Sequence, residues 1–188
     1  MKVMLRLLLL IFCLFSLHGQ AAALESVNVA LLPLEDTAAY HLPEVDAVVK
    51  SRLQDHFRFP FYEKIIVSPS EAHLVTGKKS IEADSMAALA KAKQADLVIG
   101  VELVYARSDI KNSGFTLWND NSTVMQTDVE VAIYAYSLSD GKYQSWRERL
   151  SKEEDLSVNS GVKAAVETLL EKLLFRLPYK RIPTQYIP

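Results

Sequence analysis

Residues 26–34 (SVNVALLPL) are β-branched and apolar at successive positions, so both alternating faces are hydrophobic. That pattern predicts a first strand covered on both sides and central in its sheet. From Pro43 the period changes: Val45, Val48, Val49, Leu53 and Phe57 fall on one stripe. This is a helix whose opening proline has no amide hydrogen to lose. Phe59, Phe61, Ile65 and Val67 lead into a second strand, ended by Ser68-Pro69. Pro69 and Ser70 begin a brief helix through Val75, stopped by Gly77. A further helix, about Ile81 to Gln94, turns Met86, Ala87, Leu89 and Ala90 inward. Asp96 to Arg107 (DLVIGVELVYAR) is the third strand, with Gly100 where the backbone needs room.

Ser108 to Ser122 (SDIKNSGFTLWNDNS) is polar and reads as a loop. Thr123 to Leu138 then alternates, with Val129, Val131, Ile133 and Ala135 on one face. Asp128, Glu130, Tyr134 and Tyr136 fall on the other, which predicts a long fourth strand with one half-solvated face. Ser139-Asp140-Gly141-Lys142 is a hairpin turn, because Asp-Gly accepts the positive φ angles of tight turns. Tyr143 to Leu150 is the fifth strand. The last helix, about Gly161 to Leu177, repeats Val162, Val166, Leu169, Leu170, Leu173, Leu174 and Leu177 on one face. Asn159 or Ser160 can cap it and Pro178 ends it.

The order is strand, helix, strand, two helices, three strands, helix. It implies an α/β (mixed α+β) domain with a single mixed five-stranded sheet and helices packed on it. The polar and apolar ends of the chain add a location. Lys2 and Arg6, the apolar run from Leu7 to Leu17 and Ala21-Ala22-Ala23 read as a signal peptide over residues 1–23. The run is about 11 residues, short of the roughly 20 that span a bilayer. Residues 24–178 are then one domain and 179–188 a proline-spaced extended tail. Export is expected, with cleavage near Ala23 and residence in the periplasm or outside the cell.

Composition narrows the chemistry. The only cysteine, Cys13, follows bulky Leu10-Ile11-Phe12 inside the leader, so neither lipid attachment, disulfides nor a cysteine nucleophile is expected of the mature chain. The chain carries 21 Lys plus Arg against 23 Asp plus Glu. Without Lys2 and Arg6 the net charge is about −4, which disfavours nucleic-acid binding.

Four local features invite a comparison: the opening VALLPLED at 29–36, the Ala95-Asp96-Leu97-Val98-Ile99-Gly100 strand entry, the Ser137-Leu138-Ser139-Asp140-Gly141-Lys142 turn with Trp146 after it, and the closing amphipathic helix. Together they resemble the envelope domains related to the amino-terminal domain of TolB, the curli-secretion lipoprotein CsgG and the penicillin-binding-protein activator lipoproteins. There, a "VAVLPF" strand, a "GAD-hydrophobic-hydrophobic-G" entry and a "D-x-x-TG-x-x-x-W" hairpin occur in the same order. The likeness covers roughly residues 26 to 177. This chain lacks their lipid-attachment cysteine, and Ser139-Asp140-Gly141 replaces the usual Thr-Gly. The resemblance implies a non-enzymatic envelope protein that works by binding other proteins.

The residues themselves offer little catalytic pattern. His41, His56 and His73 fall in a loop and two different helices without paired spacing, so no metal is expected. No Gly-x-Ser-x-Gly elbow is present. Gly77-Lys78-Lys79-Ser80 has Lys79 at the hydroxyl position and Ala72 at the first glycine position of a phosphate loop, so no cofactor is expected either. Glu35 and Asp36 stand at the carboxyl end of the first strand, where α/β sheets often bind ligands. With a nearby histidine they would make a small-ligand binder or hydrolase, the second reading.

The first reading is a binding and assembly module. Phe115, Leu117 and Trp118 lie among Asn, Asp, Ser and Gly, and exposed aromatics commonly anchor interfaces. Tyr134, Tyr136 and Trp146 are expected to extend that surface toward an envelope protein partner. Self-association through the leucine face of Val162 to Leu177 is the third reading.

Overall fold

Val29 and Ala30 are wholly buried because β1 (Val27–Leu31) lies between two parallel neighbours, β3 (Tyr62–Ile66) and β4 (Leu97–Ser113). The computed structural model describes residues 26–76, 81–113, 122–155 and 161–179. In it β4 continues the sheet antiparallel to β5 (Ser122–Ser137), and β5 antiparallel to β6 (Lys142–Asp155), giving the order β3-β1-β4-β5-β6. Four helices cover this mixed sheet: α1 (Pro43–His56), α2 (Pro69–Thr76), α3 (Ala83–Lys93) and α4 (Val162–Arg176).

A sixth strand arises at Pro33. Proline has no amide to give the ladder, so the first strand breaks there and resumes as β2 (Glu35–Asp36), still parallel to β4. Four residue steps from Leu31 to Glu35 answer three from Ile99 to Glu102, a bulge of one residue. The Leu32 amide donates to the Ile99 carbonyl at 2.9 Å before the break, and Thr37 and Ala38 both donate to that of Leu103 at 3.1 Å after it.

One face of the sheet, with Val29, Ile99, Leu103, Val131 and Ile133, packs under α1 and α4. Arg52 of α1 pairs with Glu167 of α4 across the top of that layer. The other face packs Ala30, Leu32 and Val98 against Ala72, Met86, Leu89 and Ala90 of α2 and α3. Gly100 is required on this side: a Cβ there would sit 2.9 Å from Ile81 Cγ2 and 3.2 Å from Leu32 Cδ1.

Three expectations need correction or fall outside the described residues. Ser108 to Ser113 is not loop but strand, paired with Ser122 to Thr127. Period-2 reading depends on one buried face, and Ser108 to Lys111 offer none that is fully buried; Ile110, the apolar residue there, is 63% exposed. β6 likewise runs on from Leu150 to Asp155. α4 starts at Val162 behind Gly161, whose φ of 98° suits glycine, while Asn159 and Ser160 lie outside the described residues. So do the leader and residues 180–188 of the tail.

Ser68-Pro69-Ser70-Glu71 forms a capping box at α2. The Ser68 amide donates to Glu71 Oε2 at 2.9 Å and the Glu71 amide to Ser68 Oγ at 3.3 Å. Lys93 Nζ donates to Glu71 Oε1 at 2.5 Å, tying α3 to α2. Lys93 first, then Ser68, hold the Glu71 carboxyl down at about 2. Because the folded value lies below the unfolded one of about 4.3, the stabilisation is complete above that pH and is lost as pH falls toward 2. Thermal melts should therefore show Glu71→Gln below wild type at pH 7, with the gap closing between about pH 4 and pH 2. A gap that stays constant over that range would contradict the assignment.

Candidate functional site

β4, β5 and β6 outrun the helices on the α3 side of the sheet. α3 and the segment before it reach as far as Ile81, whose carbonyl accepts the Tyr143 hydroxyl at 3.0 Å. From Glu102 to Ser113, β4 continues for roughly 35 Å at strand rise. Alternation puts Tyr105, Arg107, Asp128, Glu130, Arg147 and Arg149 together on this open face. Arg147 meets Glu130 at 3.2 Å, Arg149 meets Asp128 at 3.6 Å, and the Arg149 guanidinium lies 5.7 Å from the centre of the Tyr105 ring. Such a lattice holds its arginines in place while leaving N–H groups facing outward, and a guanidinium over an aromatic ring is a planar recognition element.

The inner end of this face is a hydrogen-bonded polar cluster around a buried carboxylate. Glu102, only 6% exposed, accepts the Tyr134 hydroxyl at 2.6 Å on one oxygen and the Thr37 hydroxyl at 2.9 Å on the other. Tyr134 stacks on Tyr143 with ring centres 6.2 Å apart. Burial, then the hydrogen bond and charge of Glu102, push the Tyr134 hydroxyl up to about 12, so it stays a proton donor to Glu102 across the physiological range. The hydrogen bond with Tyr134 is the main reason the Arg147 guanidinium is raised in turn. The cluster thus serves as a rigid base for the charged face.

The six aromatic and apolar positions singled out from sequence divide three ways. Tyr134 and Tyr136 do share the α3-side face, half-buried against the α2–α3 core. Trp146 does not join them: it pairs with Ile133, and opposed residues share a face, so it lies half-buried under α4. Phe115, Leu117 and Trp118 lie outside the described residues. Tyr105, Arg147 and Arg149 were missed, although Trp146-Arg147-Glu148-Arg149-Leu150 alternates and so separates both arginines from Trp146 and Leu150.

At the strand ends, Asp36 does meet a histidine. It accepts the backbone amides of His41 at 2.6 Å and Tyr40 at 3.4 Å, with His41 Nδ1 3.4 Å away. This is an exposed turn, the His41 side chain being 77% accessible. The nearby crevice of about 300 Å³ opens between β1 and β3, whose connections leave to opposite sides of the sheet. Its lining is largely apolar (Leu31, Pro33, Leu34, Leu53 and Ile66 among it) and includes neither Glu35, Asp36 nor His41. His56 is buried in α1, edge-on to Phe57, and His73 belongs to α2. Among the described residues no group of three or more His, Cys, Asp or Glu could hold a metal ion, and no helix is long and apolar enough to cross a membrane.

No family model matches the chain, and no curated protein does. Solved structures are similar to it at low identity. The PelC dodecamer from Paraburkholderia phytofirmans is 13% identical over 83% of this chain and 89% of that one, with a TM-score of 0.48. A putative neuraminyllactose-binding hemagglutinin homolog from Helicobacter pylori is 10% identical over 85% and 87%, also at 0.48. The lipoprotein GNA1162 from Neisseria meningitidis is 13% identical over 80% and 96%, at 0.42.

Proposed function

We propose that this chain is an exported, non-catalytic module of the bacterial cell envelope that binds a protein partner through the outer half of β4, β5 and β6. The observation that carries the reading is the persistence of the three strands beyond the helices on the α3 side of the sheet. It leaves the Tyr105, Arg107, Arg147 and Arg149 face open. That polar, arginine-rich face, together with Phe115, Leu117 and Trp118 in the sequence that joins β4 to β5, has the composition of an interface: aromatics and arginine as anchors, polar groups around them. Export is supported by the Lys2 and Arg6 start, the apolar run and the small residues at Ala21 to Ala23.

The test is cross-linking in intact cells, followed by fractionation, with the full chain. The cross-linked species is expected in the envelope fraction, on chains lacking residues 1–23. The pair Phe115→Ala and Trp118→Ala, and separately Tyr105→Ala with Arg149→Ala, should each lower its yield about tenfold or more, the scale of losing one or two anchors. An unchanged cross-link pattern in both variants overturns the surface. An uncleaved leader or a cytoplasmic chain overturns the location.

A further inference from the structure

We propose that two copies of this chain join edge to edge along β6, antiparallel about a two-fold axis at Leu150. The inference concerns the edge of the sheet and stands apart from the partner reading, which concerns its face. β6 is the last strand of the sheet, 14 residues long, and among the described residues only β5 pairs with it. The other side of so long a strand is a row of amides and carbonyls ready to pair with another chain. Edges are ordinarily blunted by proline, a bulge, shortness or charged side chains. β6 is rich in charges, from Lys142 to Asp155, so their order decides whether and where a second copy can pair. β6 has no proline or glycine, and its register with β5 runs unbroken from Ser137↔Lys142 to Val124↔Asp155.

Symmetry restricts how a second copy can pair. A two-fold that sets two edges antiparallel must stand perpendicular to the sheet, so each face of one copy continues the same face of the other. Opposed residues then share a face, and the axis must pass through a residue rather than between two. With the axis at Leu150, Arg147 opposes Glu153 of the second copy and Glu148 opposes its Lys152, each twice. Arg149 opposes Ser151, Trp146 opposes Glu154, and no like charges face each other. Moving the axis to Arg149 sets that residue against itself. Moving it to Glu148 does the same there and opposes Arg147 to Arg149. Moving it to Ser151 gains Arg149 against Glu153 but opposes Glu148 to Glu154, whereas the Leu150 register has attractive pairs and no like ones. Directly opposed opposite charges stabilise a strand pair and like charges oppose it, so the charge order of β6 selects the Leu150 register from its neighbours. Arg147, Lys152 and Glu153 are exposed. Arg147, Glu148 and Lys152 already touch Glu130, Arg176 and Glu154 within the chain, and a guanidinium, carboxylate or ammonium accommodates a second partner.

Two measurements test the register, both on the full chain with Cys13→Ser as background. Opposed positions bring Cβ atoms to about 5 Å, within disulfide reach, whereas diagonal ones stand at about 7–8 Å. Mild oxidation of an equal mixture of Arg149→Cys and Ser151→Cys chains should therefore give a covalent dimer, and each variant alone about tenfold less. In the second, Glu153→Lys and Arg147→Glu should each raise the dimer dissociation constant about tenfold or more, read by sedimentation over a concentration series. Mixing the two should restore dimers, because unlike charges then face each other again. A chain that stays monomeric, a cross-link as strong in either single variant as in the mixture, or charge variants that dimerise like wild type would each overturn the proposal.

Discussion

Replacing Leu169 by Ala is expected to lower the free energy of unfolding by about 3 kcal/mol, read from urea denaturation. Leu169 has no exposed surface and sits in the middle of the buried stripe of α4, between Val166 and Leu173. Across the sheet from it lies nothing that could slide in: β4 and β5 are held in register along their length, and α1 is fixed beside α4 by Arg52 and Glu167. The loss is therefore the transfer free energy of the deleted groups plus that of a cavity which the surroundings cannot close. Phe175 is a control on the same helix. It is larger but 87% exposed, so Phe175→Ala should change stability by no more than about 0.5 kcal/mol. Equal effects at the two positions would mean that α4 does not seat this face on the sheet.

Where burial on one face wrote a period into the sequence, the fold was readable. The doubly apolar 26–34 contains β1, an interior strand second from the edge rather than the central one, the stripe of Val45, Val49 and Leu53 became α1, and Asp140-Gly141 became the turn between β5 and β6 with Gly141 at φ 60°. The signal failed where burial on one face is too weak to write a period. Ser108 to Lys111 are half-buried or exposed, so the strand state there comes mainly from pairing with Val124 to Thr127. β2 was hidden for the opposite reason: Pro33 ends one ladder, and only the position of Glu102 and Leu103 shows that a second begins. The site was half legible. The face shared by Tyr134 and Tyr136 followed from parity, and the same parity, carried across the Asp140-Gly141 turn, excludes Trp146 from it. The partnership of Thr37 with Glu102 spans 65 residues and leaves no local trace.

That partnership leads to the second large effect: Glu102→Ala is expected to cost about 2 kcal/mol, a great deal for a residue that touches no apolar core side chain through its carboxylate. The carboxylate is buried and fully used, one oxygen by Tyr134 and the other by Thr37. Removing it leaves the half-buried Tyr134 hydroxyl without its acceptor at the inner end of the open face, and an unsatisfied buried group costs about 1–3 kcal/mol, whereas Thr37 is exposed and its hydroxyl can turn to water. Two compensations keep the total near the lower end: the Thr37 hydroxyl is also 3.2 Å from the Leu103 carbonyl, and Arg147 lies beside Tyr134. Tyr134→Phe removes one of the two donors and should cost about 1 kcal/mol. The double variant should be less destabilised than the sum of the singles by about 1 kcal/mol, since the two groups share one bond. The phenol supplies an independent readout. Burial is the larger cause of its raised value and Glu102 the next, so in Glu102→Ala the Tyr134 ionisation, followed by ultraviolet absorbance, should fall from about 12 yet remain above the ordinary 10 or so of tyrosine. Strict additivity of the two substitutions, together with an unmoved phenol titration, would show that the cluster does not hold the base of the arm.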